Sequence, residues 1–414
     1  MTIPPSPQQH SHETSPTKSV RPSPDPDQGF MPVARKPSIV MCRGQGSYLW
    51  DEAGQRYLDF VQGWAVNALG HSAPELQAAL AEQSSLLINA GPAYHNRPAI
   101  ELNRLLRRLT GAHQVAFFNS GAEANETAIK LARKWGKLHK RGAFGIITCY
   151  DAFHGRTLAA MAASGKPGWP ELFPPYPAGF TKAPFGDLEA MDRAIEPGTV
   201  ALMVEPIQGE AGAVVPPVGY LQGLRELCDR RDLLLILDEV QTGCGRTGRF
   251  LAQEHEGVRA DITTLGKGLG AGFPISAVLA SERAACFEPG DNGSTHGGNP
   301  LGAAVALRVC EVVSEPAFLV EVGARARELE GALDALAAEW GASRRGQGLL
   351  QALVFDQPLA EALRDSARAE GLLINAARPN VLRFMPQLRV SPAEIGEMSE
   401  RARRAARASS PARG

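Results

Sequence analysis

Five short apolar runs recur along the middle of the chain, at 115–118, 145–150, 200–205, 233–238 and 261–265. Each is rich in aliphatic and β-branched residues, bounded by charge or glycine, and too short for a helix. This pattern predicts strands buried on both faces. Helical spacing fills the intervals: Ala128, Ile129, Leu131 and Ala132 follow the first run, and 221–231 lies between the third and the fourth. Such alternation over 98–300 predicts a βα-repeating, mainly parallel sheet.

The pattern differs on either side of this block. The stretch 46–54 followed by 56–60 predicts a hairpin that turns over 51–54. Leu76, Leu80, Leu86 and Leu87 predict an amphipathic helix over 74–90. Beyond Pro300 one long Ala/Leu/Glu/Arg helical pattern covers 301–340, and short strands are predicted near 349–354 and 381–384. This reads as a separate α+β domain. The first 30 residues are rich in Pro, Ser, Gln and His, which predicts a disordered tail. No internal repeat is present.

Composition narrows the function classes. The 414 residues carry a formal charge of -1, which offers no electrostatic case for nucleic-acid binding. The basic stretch 401–414 reads as a helix end and tail rather than a nucleic-acid arm. No stretch reaches the ~18 apolar residues of a membrane span. The N-terminus has no apolar core of a secretory signal, and Glu13, Asp25 and Asp27 depart from a transit peptide. Six scattered cysteines without a CxxC pair predict no metal site, no disulfide framework and a reducing cytoplasm. His10 and His12 read as part of a solvated tail, not as metal ligands.

The chemistry concentrates at the ends of the strand runs. Asp238 ends one run, and Lys267 follows the next within Gly266-Lys267-Gly268. Ligands of open α/β sheets sit at the carboxyl ends of strands, so an acid and an amine are delivered to one crevice. That pair suits pyridoxal phosphate, which takes an amine for its Schiff base and an acid for its pyridinium nitrogen. Asn119-Ser120-Gly121-Ala122-Glu123-Ala124-Asn125 directly follows the first run and opens a helix. Ser120 and Glu123 have the spacing of a capping box. The small Gly121 and Ala122 leave the first amides uncovered, which makes an anion site. Two glycine motifs fail on context. Gly243-Cys244-Gly245-Arg246-Thr247-Gly248 matches GxGxxG, but Asp238, Glu239 and Gln241 intervene after the strand and no clear helix opens. Gly266-Lys267-Gly268 lacks the Ser/Thr of a P-loop, and Asp261 stands where its first glycine belongs.

Together these residues resemble a family. The chain is similar to the class III, fold-type I pyridoxal-phosphate aminotransferases, and within them to the acetylornithine aminotransferases. The matching stretches are collinear over about 33–400. They are Phe60-Val-Gln-Gly-Trp-Ala-Val-Asn67, Leu69-Gly-His71, 119–125 and Phe153-His-Gly-Arg-Thr157, then Glu205-Pro-Ile-Gln-Gly-Glu210, Leu237-Asp-Glu-Val-Gln241 and 265–268. Gly297-Gly-Asn-Pro300, Asn375-Ala-Ala-Arg-Pro-Asn380 and Leu382-Arg-Phe-Met-Pro386 complete the set.

The resemblance implies a large α/β domain over 98–300, and a small α+β domain built from 31–97 and 301–405, with tails at 1–30 and 406–414. It implies that Lys267 holds the cofactor covalently, Asp238 pairs with its ring nitrogen, and Ser120, Gly121 and Ala122 hold its phosphate. Phe153 and Val240 pack the two faces of the ring, and Gln241 lies near the ring hydroxyl. Thr295 reaches the phosphate bound in a partner subunit of a homodimer. Arg156 and Arg383 are implied as carboxylate-binding arginines, and Glu210 as the partner of an arginine. The implied reaction transfers an amino group from N-acetylornithine to 2-oxoglutarate in arginine biosynthesis. Ornithine, succinylornithine or 4-aminobutyrate is the alternative donor. An aminomutase would turn over without 2-oxoglutarate, and a cofactor-binding regulator would not need Lys267, Asp238 and Phe153 together. Ala211, where glycine is usual, and His296, where an aromatic residue or asparagine is common, depart from the family on the substrate side.

Overall fold

The computed structural model describes residues 29–409. The tail over 1–28, with His10 and His12, and the end over 410–414 lie outside the described residues. The first strands are β1 (Met41–Gln45), β2 (Tyr48–Asp51) and β3 (Arg56–Asp59), an antiparallel meander. The predicted hairpin is β2–β3. β1 is an added, largely exposed strand with no apolar pattern to announce it.

Seven strands follow: β4 (Gln114–Phe118), β5 (Gly145–Cys149), β6 (Phe180–Ala183), β7 (Thr199–Val204), β8 (Leu234–Asp238), β9 (Ile262–Leu265) and β10 (Ser276–Ala280). They form one sheet in the order β4-β10-β9-β8-β7-β5-β6. β6, β5, β7, β8 and β9 are parallel. β10 is antiparallel to both β9 and β4, so β4 runs with the parallel set. The carboxyl ends of β4, β5, β7, β8 and β9 therefore open on one edge. The five predicted runs are all strands here. β6 and β10 lie outside them, because Phe180-Thr-Lys-Ala183 is half polar and Ser276-Ala-Val-Leu-Ala280 is short and rich in small residues.

Both faces of this sheet are covered, which is why its central strands are apolar throughout. In β8, Leu234 and Ile236 join the cluster under the helix Gly121–His139, with Ala128, Leu131 and Trp135. Leu235 and Leu237 point the other way, toward Leu221, Leu224 and Leu227 of the helix Tyr220–Arg231. The side-chain alternation of a strand thus builds two cores at once.

Two helix predictions need correction. The pattern over 301–340 is two helices, Pro300–Val313 and Pro316–Trp340. Pro316 has no N–H to continue the first helix and takes the first position of the second. The helix Pro74–Leu86 is shorter than predicted and buries only Leu76 and Gln83. Leu86 is 72% exposed, because ten residues on from Leu76 it is rotated about 80° off that face.

The C-terminal third adds β11 (Ser343–Gln347), β12 (Leu350–Val354), β13 (Leu372–Leu373), β14 (Asn375–Arg378) and β15 (Val381–Phe384). β11-β12-β15-β14 is an antiparallel sheet, while β13 pairs in parallel with β3 through Leu372 and Leu58. N- and C-terminal segments thus share a sheet. The final helix is Pro392–Ser409. No helix among the described residues is long and apolar enough to cross a membrane. All six cysteines are free, and the described residues hold no cluster of three His, Cys, Asp or Glu able to bind a metal.

Candidate active site

The edge where the parallel strands end holds a cavity of about 280 Å³. Asp238, the last residue of β8, and Lys267, just after β9, both line it. Asp238 is buried within four partners: Asn125 on the helix Gly121–His139, Thr264 on β9, and His154 and Val240 on loops. Asn125 Nδ2 and His154 Nδ1 donate to Oδ2, each at 2.7 Å. The Val240 N–H donates to Oδ1 at 3.0 Å, and the Thr264 hydroxyl lies 3.3 Å from it. A carboxylate only accepts, so His154 carries its proton on Nδ1. Its Nε2 is buried without a partner. Burial works to raise the proton affinity of Asp238, but His154 and the other donors outweigh it and hold the carboxyl below its ordinary value. The charge is therefore kept in a site that would otherwise neutralise it.

Lys267 behaves in the opposite sense. Burial of its amine lowers its proton affinity, assisted by the positive charge of Arg383 and opposed by Glu210 and Asp238. Its backbone has φ 43, a left-handed conformation that a lysine adopts at a cost. Glu205, after β7, is a second cavity acid. Burial first and then the negative Asp238 push it well above the ordinary carboxylate range, although the Phe153 N–H donates to it at 3.2 Å.

The cradle forms at the start of the helix Gly121–His139. Ser120 is extended and its Oγ accepts from the Glu123 N–H at 3.2 Å. Glu123 reaches back to the Asn119 N–H at 3.0 Å, one residue beyond the usual capping box. The amides of Gly121 and Ala122, which line the cavity, have no helical acceptor. A Cβ added to Gly121 would lie 2.7 Å from Val240 Cγ1, so only glycine leaves this approach open.

The structure brings Gly121, Ala122, Phe153, Arg156, Glu210, Val240 and Gln241 to the cavity with Asp238 and Lys267. Ser120 and Arg383 do not line it, and Thr295, expected at the phosphate of a partner subunit, lies away from it. Ser120 is exposed and occupied as a cap. Thr295 is exposed on the loop before Pro300, where the neighbouring Ser294 accepts from Asn119 Nδ2 at 2.9 Å. Arg383 lies behind the wall, fully buried on β15, and all five of its N–H groups are spent. Nη2 donates to Glu210 at 2.8 Å and to Asn375 at 2.9 Å. Nη1 donates to the Gly209 carbonyl and Gln241, and Nε to Asn375. Burial raises Glu210, but Arg383 and Lys267 outweigh it and pull the carboxyl down to about 2. The sequence pattern assigns no role to Asn125, His154, Glu205, Thr264 or Lys166. The first three stand inside the motif stretches, which is the signal that could have marked them. Nothing local marks the other two.

A parallel sheet whose carboxyl edge presents a buried acid, a desolvated amine and a helix-start cradle defines a fold-type I transferase. The chain belongs to the class-III aminotransferase family, whose model matches residues 30–405. It is 51% identical over 375 residues to acetylornithine aminotransferase 2 of Bordetella pertussis, covering 90% of this chain and 95% of that one. Among solved structures it is similar to the ornithine aminotransferase of Toxoplasma gondii, with a TM-score of 0.87 at 34% identity, covering 92% of this chain and 94% of that one. The N-acetylornithine aminotransferase of Stenotrophomonas maltophilia gives a TM-score of 0.79 at 36% identity, covering 89% and 96%. The chain is an aminotransferase of a pyridoxal-phosphate-dependent family.

Proposed function

We propose that the chain uses pyridoxal 5'-phosphate to move the amino group of N-acetylornithine to 2-oxoglutarate, giving N-acetylglutamate semialdehyde and glutamate. The observation that carries this reading is the convergence of Asp238 and Lys267 on one cavity, beside a helix start where a Cβ on Gly121 would run into Val240. The donor set fits the cofactor: free helix-start amides for a phosphate, a charged acid for a ring nitrogen and a desolvated amine for a carbonyl carbon. When bound, the cofactor supplies an electron sink for negative charge at the substrate carbon.

The residues divide the remaining work. Gly121 and Ala122 would hold the phosphate, with Ser120 setting the helix start. Phe153 and Val240 would flank the ring, and Gln241 would lie near its hydroxyl. Asp238 would hold a proton on the ring nitrogen, and its donors Asn125, His154 and the Val240 N–H keep it charged for that task. Lys267 Nζ would hold the cofactor and, once released, move the proton at the substrate carbon. Its lowered proton affinity keeps the neutral amine available at less alkaline pH than an ordinary lysine. Arg156 would take the substrate α-carboxylate as a fork. Glu210 and Arg383 close the wall behind the substrate, and Arg383 could take a carboxylate only after Glu210 releases it. The working unit is a cytoplasmic homodimer in which Thr295 of one copy completes the phosphate site of the other.

The test offers N-acetylornithine, ornithine, succinylornithine and 4-aminobutyrate to the purified enzyme with 2-oxoglutarate. N-acetylornithine should give the highest kcat/KM, with ping-pong kinetics. A strong preference for 4-aminobutyrate overturns the proposed donor.

A further inference from the structure

Lys182 is a part-buried cation that lies outside the reaction cavity. It stands on β6, the outer strand of the seven-stranded sheet, in register with Thr148 of β5. Its Nζ donates to three acceptors, each at 2.6 Å: the Thr148 hydroxyl and the carbonyls of Ala162 and Ala163. Those carbonyls close the helix Leu158–Ala163, whose last turn has no basic residue of its own. Carbonyls at a helix end carry partial negative charge, so an ammonium caps them well. The other end is held by the opposite charge. Glu126 accepts from the Thr157 hydroxyl and from the Ala159 and Ala160 N–H groups. Two charges from other elements thus fix a six-residue helix that is too short to persist alone.

The end that Lys182 grips is braced to the cavity wall. The Gly165 N–H donates to the Ala152 carbonyl, and the Asp151 N–H to the Gly165 carbonyl, each at 3.0 Å. Ser164 Oγ accepts from the His154 N–H at 2.8 Å and donates to the Ala160 carbonyl. His154 in turn donates to Asp238, and Phe153 beside it lines the cavity. A path of hydrogen bonds and helix backbone therefore runs from Lys182 to the acid of the reaction cavity. The three acceptors take all three protons of an ammonium, whereas a neutral amine has two and turns a lone pair to the third. Burial pushes the proton affinity of Lys182 down to about 7. The titratable group that acts on it among the described residues is the Cys149 thiol of β5, which burial pushes up to about 12 and so keeps neutral. The helix Leu158–Ala163 brings no titratable side chain.

We propose that Lys182 is a positioning residue of the cofactor site: its ammonium anchors the end of the helix Leu158–Ala163 and, through Ser164 and Gly165, sets the segment that carries Phe153 and His154. This rests on the pyridoxal-phosphate reading above. Through His154 it acts on the acid expected at the ring nitrogen, and through Phe153 on one face of the ring.

The test follows release of pyridoxal 5'-phosphate from the loaded full-length enzyme by ultrafiltration, at about pH 6 and about pH 8.5, on either side of the Lys182 proton affinity. At the lower pH, Lys182→Met should release it about tenfold faster than wild type, for the loss of one charge-assisted hydrogen bond. The ratio between the two proteins should shrink at the higher pH, where wild-type Lys182 has lost its third proton. Equal rates at the lower pH, or the same ratio at both, overturn the proposal. Ser164→Ala decides the case even where Lys182→Met does not fold. It keeps Lys182 but cuts the bond to His154, so it should also speed release. The double variant should release the cofactor no faster than the faster single variant, because both changes break one path. Multiplied effects, or a Ser164→Ala protein with the wild-type rate, overturn the proposal. A wild type that shows this pH pattern yet transaminates no donor would refute the transaminase reading alone.

Discussion

Asp238 and Lys267 have opposite electrostatic problems, and their neighbours solve them differently. Asp238 is kept charged by Asn125, His154 and the Val240 N–H, while the burial of Lys267 is only partly offset by Glu210 and Asp238. The acid was visible in the sequence because it ends an aliphatic run, but its supports were not. Asn125 and His154 stand 113 and 84 residues away, and no local pattern joins them to it. The contact between Gly121 and Val240 is equally nonlocal. Gly121→Ala should crowd Val240 and weaken cofactor retention roughly tenfold, since overpacking by one methyl costs on the order of 1–3 kcal/mol. Cofactor retained after gel filtration measures this. Adding Val240→Ala should restore part of the loss, and no recovery would mean that the two residues are not in contact.

Elements explain which predictions succeeded. β7 and β8 are buried on both faces, so their sequences are nearly pure aliphatic runs that stand out, and β9 is a buried run of β-branched residues and leucine. β1, β6, β11 and β13 are exposed, half polar, edge-placed or two residues long, and their pairing rather than their composition makes them strands. The turn Gln62–Ala65 has no sequence signal of its kind at all. Gln62, Gly63, Trp64 and Ala65 all have positive φ, tied by Asp59 Oδ1, which accepts from the Val61 and Gln62 N–H groups. Trp64 then offers its carbonyl to Gln241 Nε2 at 3.3 Å. The Ser120 cap, by contrast, was legible as a spacing. Ser120→Ala should cost about 1 kcal/mol in urea unfolding of the cofactor-free protein, the usual worth of an N-cap. A larger drop in cofactor affinity than this would show that the hydroxyl also contacts the phosphate.

The whole molecule meets at Arg383. Its guanidinium ties β15 and β14 to the loop after β7 and to Gln241 after β8, so two sheets share one buried cation. Glu210 is the charge that makes this tolerable. Its folded-state proton affinity is depressed from 4.5 to about 2, so its stabilising contribution is complete above pH 4.5 and disappears as pH falls toward about 2. Glu210→Gln should therefore be destabilised by about 3 kcal/mol at neutral pH, the cost of leaving a buried charge without its counterion. The gap from wild type, followed by denaturant unfolding, should close through that acid window. A gap independent of pH would show that Glu210 acts by shape alone.

The sequence by itself determined what depends on neighbours along the chain. This covers the alternating strands and helices, the capped helix start at Ser120, and the placing of an acid and an amine at strand ends, because periodicity and capping are local. Only the tertiary structure decided what depends on packing across the chain. It closed a polar shell around Asp238, spent every donor of Arg383 inside the protein, and set the Lys182 ammonium at the end of the helix Leu158–Ala163. The longest of these contacts join residues 84 to 174 positions apart, and strand order and helix packing, not spacing, bring them together.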